Sequence, residues 1–288
     1  SLLPQLSGKT LILKDFTTIL TLNPNDRSEI LGLLREIYDG KATKTFGTGK
    51  QFLWEGNMGL LAGVTPMFDM HGVVHAQLGE RFLLWRIHSG WDVREAQCLR
   101  AAQAAGNEKG LRAEFGQAML AAYDQALAWV VGRDLILGGA LEGWLSALSH
   151  LVCAGRTHIF RDGYSRQVIY VPEVEGPGRL FKQLRQLLIG LLAVHQRPQP
   201  TLEDLRILRT VAWDSMHPIK ARAFDALGQK PGGLGVAEFG KMASLPKTMA
   251  QRHLDDLLLL HHATEENDLY LPHPKILSFL RSSADYLK

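Results

Sequence analysis

The pattern of apolar and polar positions divides the chain into a mixed first part and a helical remainder. Thr10–Asp15, TLILKD, is a short apolar run ending on two charges. It has too little period for an amphipathic helix and predicts a buried strand of a parallel sheet, with Asp15 at its carboxyl end. Phe16–Leu22 is apolar and Thr-rich, and Asn23–Asp26 is turn chemistry able to cap a helix. Arg27–Tyr38 then places Ile30, Leu33, Leu34 and Ile37 on one helical face, ended by Asp39-Gly40. Lys41–Gly56 predicts a hairpin turning at Gly47-Thr48-Gly49. Met58–Thr65 predicts a second buried strand, closed by Pro66. A loop over Phe68–Leu78 and a further apolar run, Leu78–Ile87, follow.

From Trp91 to Ala154 the pattern is helical, with breaks at Gly90 and Asn107–Gly110. Thr157–Val171 is mixed, with a turn at Asp162-Gly163. Gly176-Pro177-Gly178 precedes a long amphipathic helix, Arg179–His195. Thr201 and Asp204 have the spacing of a capping box, with Asp in place of Glu, for a helix Leu202–Ser215. The last part reads as a helix Pro218–Leu227, a linker Pro231–Gly233, a helix Val236–Ala243, a tight turn Ser244–Pro246, a helix Lys247–His261 and a hairpin Thr264–Leu271 turning at Asn267-Asp268. That order, helix, turn, helix and wing, is a winged helix-turn-helix. The expected domains are 1–90, 91–215 and 216–288.

Composition narrows the class without choosing a function. The chain has 288 residues, 46% hydrophobic and 21% charged, which is globular rather than disordered. A net charge of +3 permits nucleic-acid binding but does not argue for it, because clustering decides. Cys98 and Cys153 lie far apart without a CxxC, so two buried thiols in a reducing compartment are expected rather than zinc or a disulfide framework. Ser1–Lys9 has no apolar core for a signal peptide, and Leu184–Val194 is too short to span a membrane, so a cytoplasmic protein is expected. The chain opens almost at once on an apparent internal strand and without an initiator Met, so a missing N-terminal part is expected.

Ligands of open α/β folds sit outside the carboxyl ends of the strands. An acid there, Asp15, can hold a nucleotide-bound magnesium through water. Lys41, Lys44 and Lys50 make the first hairpin basic. In the helix-turn-helix, Lys247, Thr248, Gln251 and Arg252 fall on the exposed side of the second helix's first turns, which meet base edges and phosphates in the major groove, while Leu254, Leu257 and Leu258 face the core. The wing acids Glu265, Glu266 and Asp268 oppose DNA binding, and a protein-contact role is the alternative. His71 and His75 with Asp69 have metal-ligand spacing, but loop character argues against a site. His261, His262 and His273 read as polar ends of the recognition helix rather than zinc ligands. Nothing supports nucleophilic catalysis.

The order of elements from Thr10 to Ser215 resembles the second half of an AAA+ ATPase, in the clade of minichromosome-maintenance helicases and MoxR-type ATPases. The carrying features are the acid-ended strand, the helix Arg27–Glu36, the basic hairpin Lys41–Trp54, the strand Gly59–Thr65, Glu80-Arg81-Phe82, and Gly178-Arg179-Leu180 with Thr201–Asp204. The resemblance implies an incomplete α/β P-loop core, a helical lid and the winged helix, helix-rich overall. It implies Asp15 on the magnesium, Thr65 as the polar sensor facing the γ-phosphate, Arg81 as an arginine finger acting in trans, Arg179 as the second sensor, and a DNA-contacting hairpin. It implies ATP and Mg2+ as cofactors of the full-length protein, DNA as partner and a homo-oligomer, as in a helicase or replication ATPase of a phage or mobile element. The chain departs from the pattern twice. It has no G-x-x-x-x-G-K-[ST], and Asp15 stands between Lys14 and Phe16 with no adjacent Glu, so ATP hydrolysis by this stretch alone is not expected. The alternative is a DNA-binding transcriptional regulator, or an interaction protein, with a degenerate ATPase module.

Overall fold

The structure, a computed structural model, describes residues 3–45, 51–70, 81–87 and 90–286. Helix dominates, and the strands described form two-stranded sheets. The chain divides into two compact units: residues 1–82 with 158–172, and residues 83–157 with 173–288.

In the first unit, β1 (Thr10–Leu13) leads into a one-turn helix, α1 (Thr17–Leu20), and a longer one, α2 (Pro24–Tyr38). α2 starts three residues earlier than the periodicity predicts. Asn23 caps it, accepting from the amides of Asn25 (3.1 Å) and Asp26 (3.0 Å), and Pro24 at the first helical position has its φ already fixed for helix. Leu31, outside the predicted face, is fully buried, and Ile37, on that face, is also buried. Next come β2 (Lys41–Thr45) and β3 (Gln51–Glu55), an antiparallel hairpin whose Ala42 and Trp54 pack with Ile37. Its turn, including Lys50, lies outside the described residues, as does the side chain of Lys44.

β4 (Gly59–Ala62) returns to pair with β1 in parallel, Thr10 opposite Gly59 through Leu13 opposite Ala62. The parallel pairing is as predicted; the burial is not. Both strands alternate between half-buried and exposed positions, with Ile12 64% and Leu61 63% exposed. The pair has only two strands, so one face packs on the unit and the other meets solvent. A second hairpin, β5 (Phe160–Arg161) and β6 (Val168–Tyr170), completes this unit.

The second unit is built on helices. Gly139–Arg156 and Gly178–Val194 form its centre, and in the latter Leu180, Leu184, Leu188 and Leu192, each four residues apart, have no exposed surface. The capping box forms: Thr201 and Asp204 open the helix Leu202–Asp214. The helices Pro218–Gln229, Val236–Ala243 and Lys247–Leu259 follow, then the hairpin β7 (Ala263–Glu266) and β8 (Leu269–Pro272). Asn267 and Asp268 both have positive φ, as a two-residue hairpin turn requires. A last helix, Pro274–Asp285, was not predicted. It is started by His273, which accepts from the Lys275 amide, and by Pro274. One continuous core runs from Trp144 and Leu184 through Phe224 and Leu254 to Tyr270 and Leu280, so residues 91–215 and 216–288 share it.

Both cysteines are free, but only Cys153 is buried. Cys98, expected in a core, is exposed because the helix Trp91–Ala104 buries none of its residues. Among the described residues no helix is long and apolar enough to cross a membrane.

Candidate functional site

The carboxyl ends of β1 and β4 are locked together by their backbones. Gly63 donates to the Leu13 carbonyl (2.9 Å), and Phe16 donates to the Gly63 carbonyl (2.8 Å). A Cβ at Gly63 would stand 2.6 Å from the Lys14 carbonyl oxygen, so this close crossing requires glycine. The crossing brings Asp15 and Thr65 to the same edge. Asp15 Oδ1 accepts from the Thr17 amide (2.9 Å), and the Thr17 hydroxyl accepts from the Thr65 amide (3.2 Å) and lies 3.2 Å from the Thr65 hydroxyl. Thr17 is the member the sequence reading missed, since its link to Thr65 spans 48 positions.

Asp15 and Thr65 are both exposed. The arrangement offers one carboxylate and two hydroxyls to the outside of a strand edge. One carboxylate oxygen is committed to the chain, which fits a hydrated divalent cation held through water better than direct multidentate ligation. Among the described residues no group of three or more His, Cys, Asp or Glu side chains could hold a metal ion. Phe16, where the second acid of a full motif would stand, is 3% exposed and lies 6.5 Å, ring to ring, from Phe82.

Arg81 is held within the same unit. Its Nη2 lies 2.7 Å from Asp39 Oδ2, and its guanidinium sits 5.8 Å from the Tyr38 ring centre, so it closes the end of α2. Glu80, His71 and His75 lie outside the described residues. Lys41 pairs across the hairpin with Glu55 at 2.8 Å, and this hydrogen bond and charge raise its pKa. In the second unit, Arg179 lies in the first turn of its helix, exposed and without an ion-pair partner among the described residues.

In the segment expected to be a helix-turn-helix, Ser244 ends the helix Val236–Ala243 in the left-handed conformation (φ 54°), and Leu245 donates back to the Gly240 carbonyl at 2.8 Å. Lys247 and Thr248 are exposed, and Arg252 is half-buried with no ion-pair partner among the described residues. Lys241 and Lys247 flank an open groove of about 310 Å3. Lys241 was not predicted. Gln251 is engaged inside the protein: its amide donates to Asp255 Oδ1 (2.8 Å) and to the Tyr270 hydroxyl, which itself donates to Asp255 (2.7 Å). Burial and Asp255 raise the Tyr270 pKa, keeping that donor protonated. Leu254 and Leu257 are buried, and Glu265, Glu266 and Asp268 of the β7–β8 hairpin are exposed.

His262 corrects the reading of that histidine pair as polar helix ends. It is 5% exposed, with its ring 6.0 Å from Phe224. Burial first, then the charges of Lys220, His261 and His273, lower its pKa from 6.5 to about 4. Lys220 is itself buried, donates to the Thr157 carbonyl and faces Asp256, and burial lowers its pKa to about 8. Between pH 6.5 and pH 4 the unfolded chain takes up a proton on His262 that the folded chain refuses, so stability rises with pH across that window. Urea unfolding at a series of pH values is expected to show about 3 kcal/mol lost from the second unit on acidification through this window, and a flatter profile in His262→Gln. An equally steep profile in the variant would place the titrating group elsewhere.

No protein-family model, curated protein or solved structure matches this chain.

Proposed function

We propose that this chain belongs to an ATP-dependent DNA-handling protein of the AAA+ kind, in which the first unit contributes the metal side of a nucleotide site and the C-terminal segment is a DNA-binding winged helix-turn-helix. The observation that carries the reading is the convergence of Asp15 and Thr65, through Thr17, at the carboxyl edge of two adjacent parallel strands. That is where α/β folds bind ligands, and a carboxylate with hydroxyls beside it suits Mg2+ and phosphate oxygens. Asp15 would orient the hydrated metal, which supplies charge neutralisation to the phosphates when bound. Arg81 would act between subunits of a homo-oligomer, and Arg179 would pair with phosphate from a helix N-terminus. A cytoplasmic setting keeps Cys98 and Cys153 reduced. The winged-helix assignment is supported by the element order and by the antiparallel bridge between Leu234 and Tyr270, which ties the segment before the first helix of the pair to the wing.

The burial of Phe16 favours a second reading, a DNA-binding regulator with a degenerate ATPase module, since no carboxylate stands there to activate water. One set of measurements separates the two. Duplex DNA affinity of the full-length protein is expected to fall about 3–10-fold in Lys247→Ala and in Arg252→Ala, with the salt slope reduced by about one in each. An unchanged slope in both variants would remove the DNA assignment. Mg2+-dependent ATP hydrolysis supports the first reading; DNA binding without hydrolysis supports the second.

A further inference from the structure

The hairpin β5–β6 has no part in the site described above. We propose that it is a pin for unpaired DNA, with Tyr164 at its tip stacking on an unstacked base and the exposed Arg166 beside it serving the adjoining phosphates. The inference rests on the DNA reading above and adds which form of DNA the first unit recognises.

Tyr164 is 99% exposed, so its ring makes almost no contact with its own chain. The loop that carries it is nevertheless fixed. The Asp162 carboxylate accepts from the amides of Tyr164 (3.0 Å) and Ser165 (2.6 Å) and from the Ser165 hydroxyl (2.9 Å). Asp162 also donates its amide to the Gln167 carbonyl (2.8 Å), and Arg161 Nη1 donates to the Arg166 carbonyl (3.1 Å). Arg166 takes a left-handed backbone, φ 61°. A ring presented on a pre-formed turn loses little freedom when a ligand stacks on it.

The charge pattern selects the ligand. From Phe160 to Tyr170 the chain has two arginines and a single acid, Asp162. That acid accepts three hydrogen bonds through a single oxygen, Oδ1, which hold its carboxyl below the usual carboxylate range, and its one negative charge is outnumbered by the two guanidinium charges. The tip therefore shows a π face and guanidinium charge, the combination that holds single strands by stacking and phosphate contact. Below the tip, Phe160 and Tyr170 lie 6.1 Å apart, ring to ring, and His158 meets Phe160 edge-on at 6.2 Å. Ile169 and Tyr170 remain 67% and 57% exposed, leaving an apolar flank for a second base. A paired base has both faces occupied by its stacked neighbours, so the ligand is a single strand or the open junction of a fork.

The test compares the intact chain on a forked duplex, a poly-dT oligonucleotide and a blunt duplex, with 2-aminopurine at the first unpaired position of the fork. Tyr164→Ala is expected to weaken binding to the fork and to poly-dT about tenfold, to leave blunt duplex within twofold, and to abolish the 2-aminopurine emission change; Tyr164→Phe restores all three. Because Tyr164 touches almost nothing, its replacement leaves the fold intact, and equal melting temperatures check this. Unchanged fork binding in Tyr164→Ala, or an equal loss on fork and blunt duplex, overturns the pin while leaving the DNA reading standing. Failure of the wild-type chain to bind any of the three DNAs overturns both. A tyrosine that serves a protein partner gives the first of these results.

Discussion

If the chain belongs to an AAA+ ATPase as proposed, replacing Arg81 by alanine in the full-length protein is expected to lower a DNA-stimulated ATPase rate by about 10³-fold or more, the worth of an arginine finger. The structure sets a competing expectation that makes the experiment decisive. Arg81 is held by Asp39 at 2.7 Å, its own side chain 14% and that of Asp39 50% exposed. Pairs with one partner this open contribute at most about 1 kcal/mol. A purely structural Arg81 would therefore shift the melting temperature by a few degrees and leave turnover within a few-fold. A finger acting in trans would do the reverse, and mixing Arg81→Ala subunits with Asp15→Asn subunits would restore part of the activity, because one mixed interface pairs an intact Asp15 with an intact Arg81. Intact hydrolysis in Arg81→Ala would end the assignment. Asp39→Ala frees the guanidinium and is expected to retain activity if the Arg81–Asp39 pair is a resting contact.

Asp204→Ala is expected to cost the second unit about 3 kcal/mol in urea unfolding. Asp204 has no exposed surface, yet it accepts from Arg197 Nη2 with both oxygens (3.1 and 3.0 Å), from the Thr201 amide (2.8 Å) and from the Thr201 hydroxyl (3.0 Å). Losing the cap costs about 1 kcal/mol, and breaking a buried pair costs about 3–5 kcal/mol when the surviving charge cannot escape. Arg197 is 34% exposed and can turn to water, which holds the total to the lower end. Asp204→Asn keeps a capping oxygen and should fall between. A loss under about 1 kcal/mol in Asp204→Ala would mean that the helix Leu202–Asp214 is fixed by its leucines alone.

These two residues also mark what the chain reveals before it is folded. Asp204 was legible because its partner Thr201 lies three positions away, within the reach of a local motif. The same holds for Asn267-Asp268, whose turn chemistry is written in two adjacent residues, and for the leucines at 180, 184, 188 and 192. What stayed hidden depends on distant neighbours. His261 and His262 are identical in composition, but one faces out and the other packs on Phe224. Gln251 looks like a free polar residue on a helix until Tyr270, nineteen positions on, occupies it. The apolar run of β1 gave its pairing direction but not its exposure, because periodicity cannot count the strands beside it. Of the candidate site, Asp15 was read from strand-end chemistry and Thr65 from the resemblance, whereas Thr17 was invisible until the strands met.

The first unit is assembled from residues 1–82 and 158–172. Its order of manufacture follows from that division. On a ribosome the strands, α2 and Arg81 emerge first, but the hairpin bearing Tyr164 arrives only after the intervening helices have been made, a delay of roughly 4–15 seconds at ordinary elongation rates. During that interval the first unit is incomplete, and Ile12 and Leu61, which stay exposed in the finished unit too, lie on an open parallel pair whose edges can recruit another nascent chain. The stretch from Leu83 to Thr157 therefore sets a timing: lengthening that insertion delays completion of the first unit, and a chain stopped before His158 lacks its second hairpin altogether.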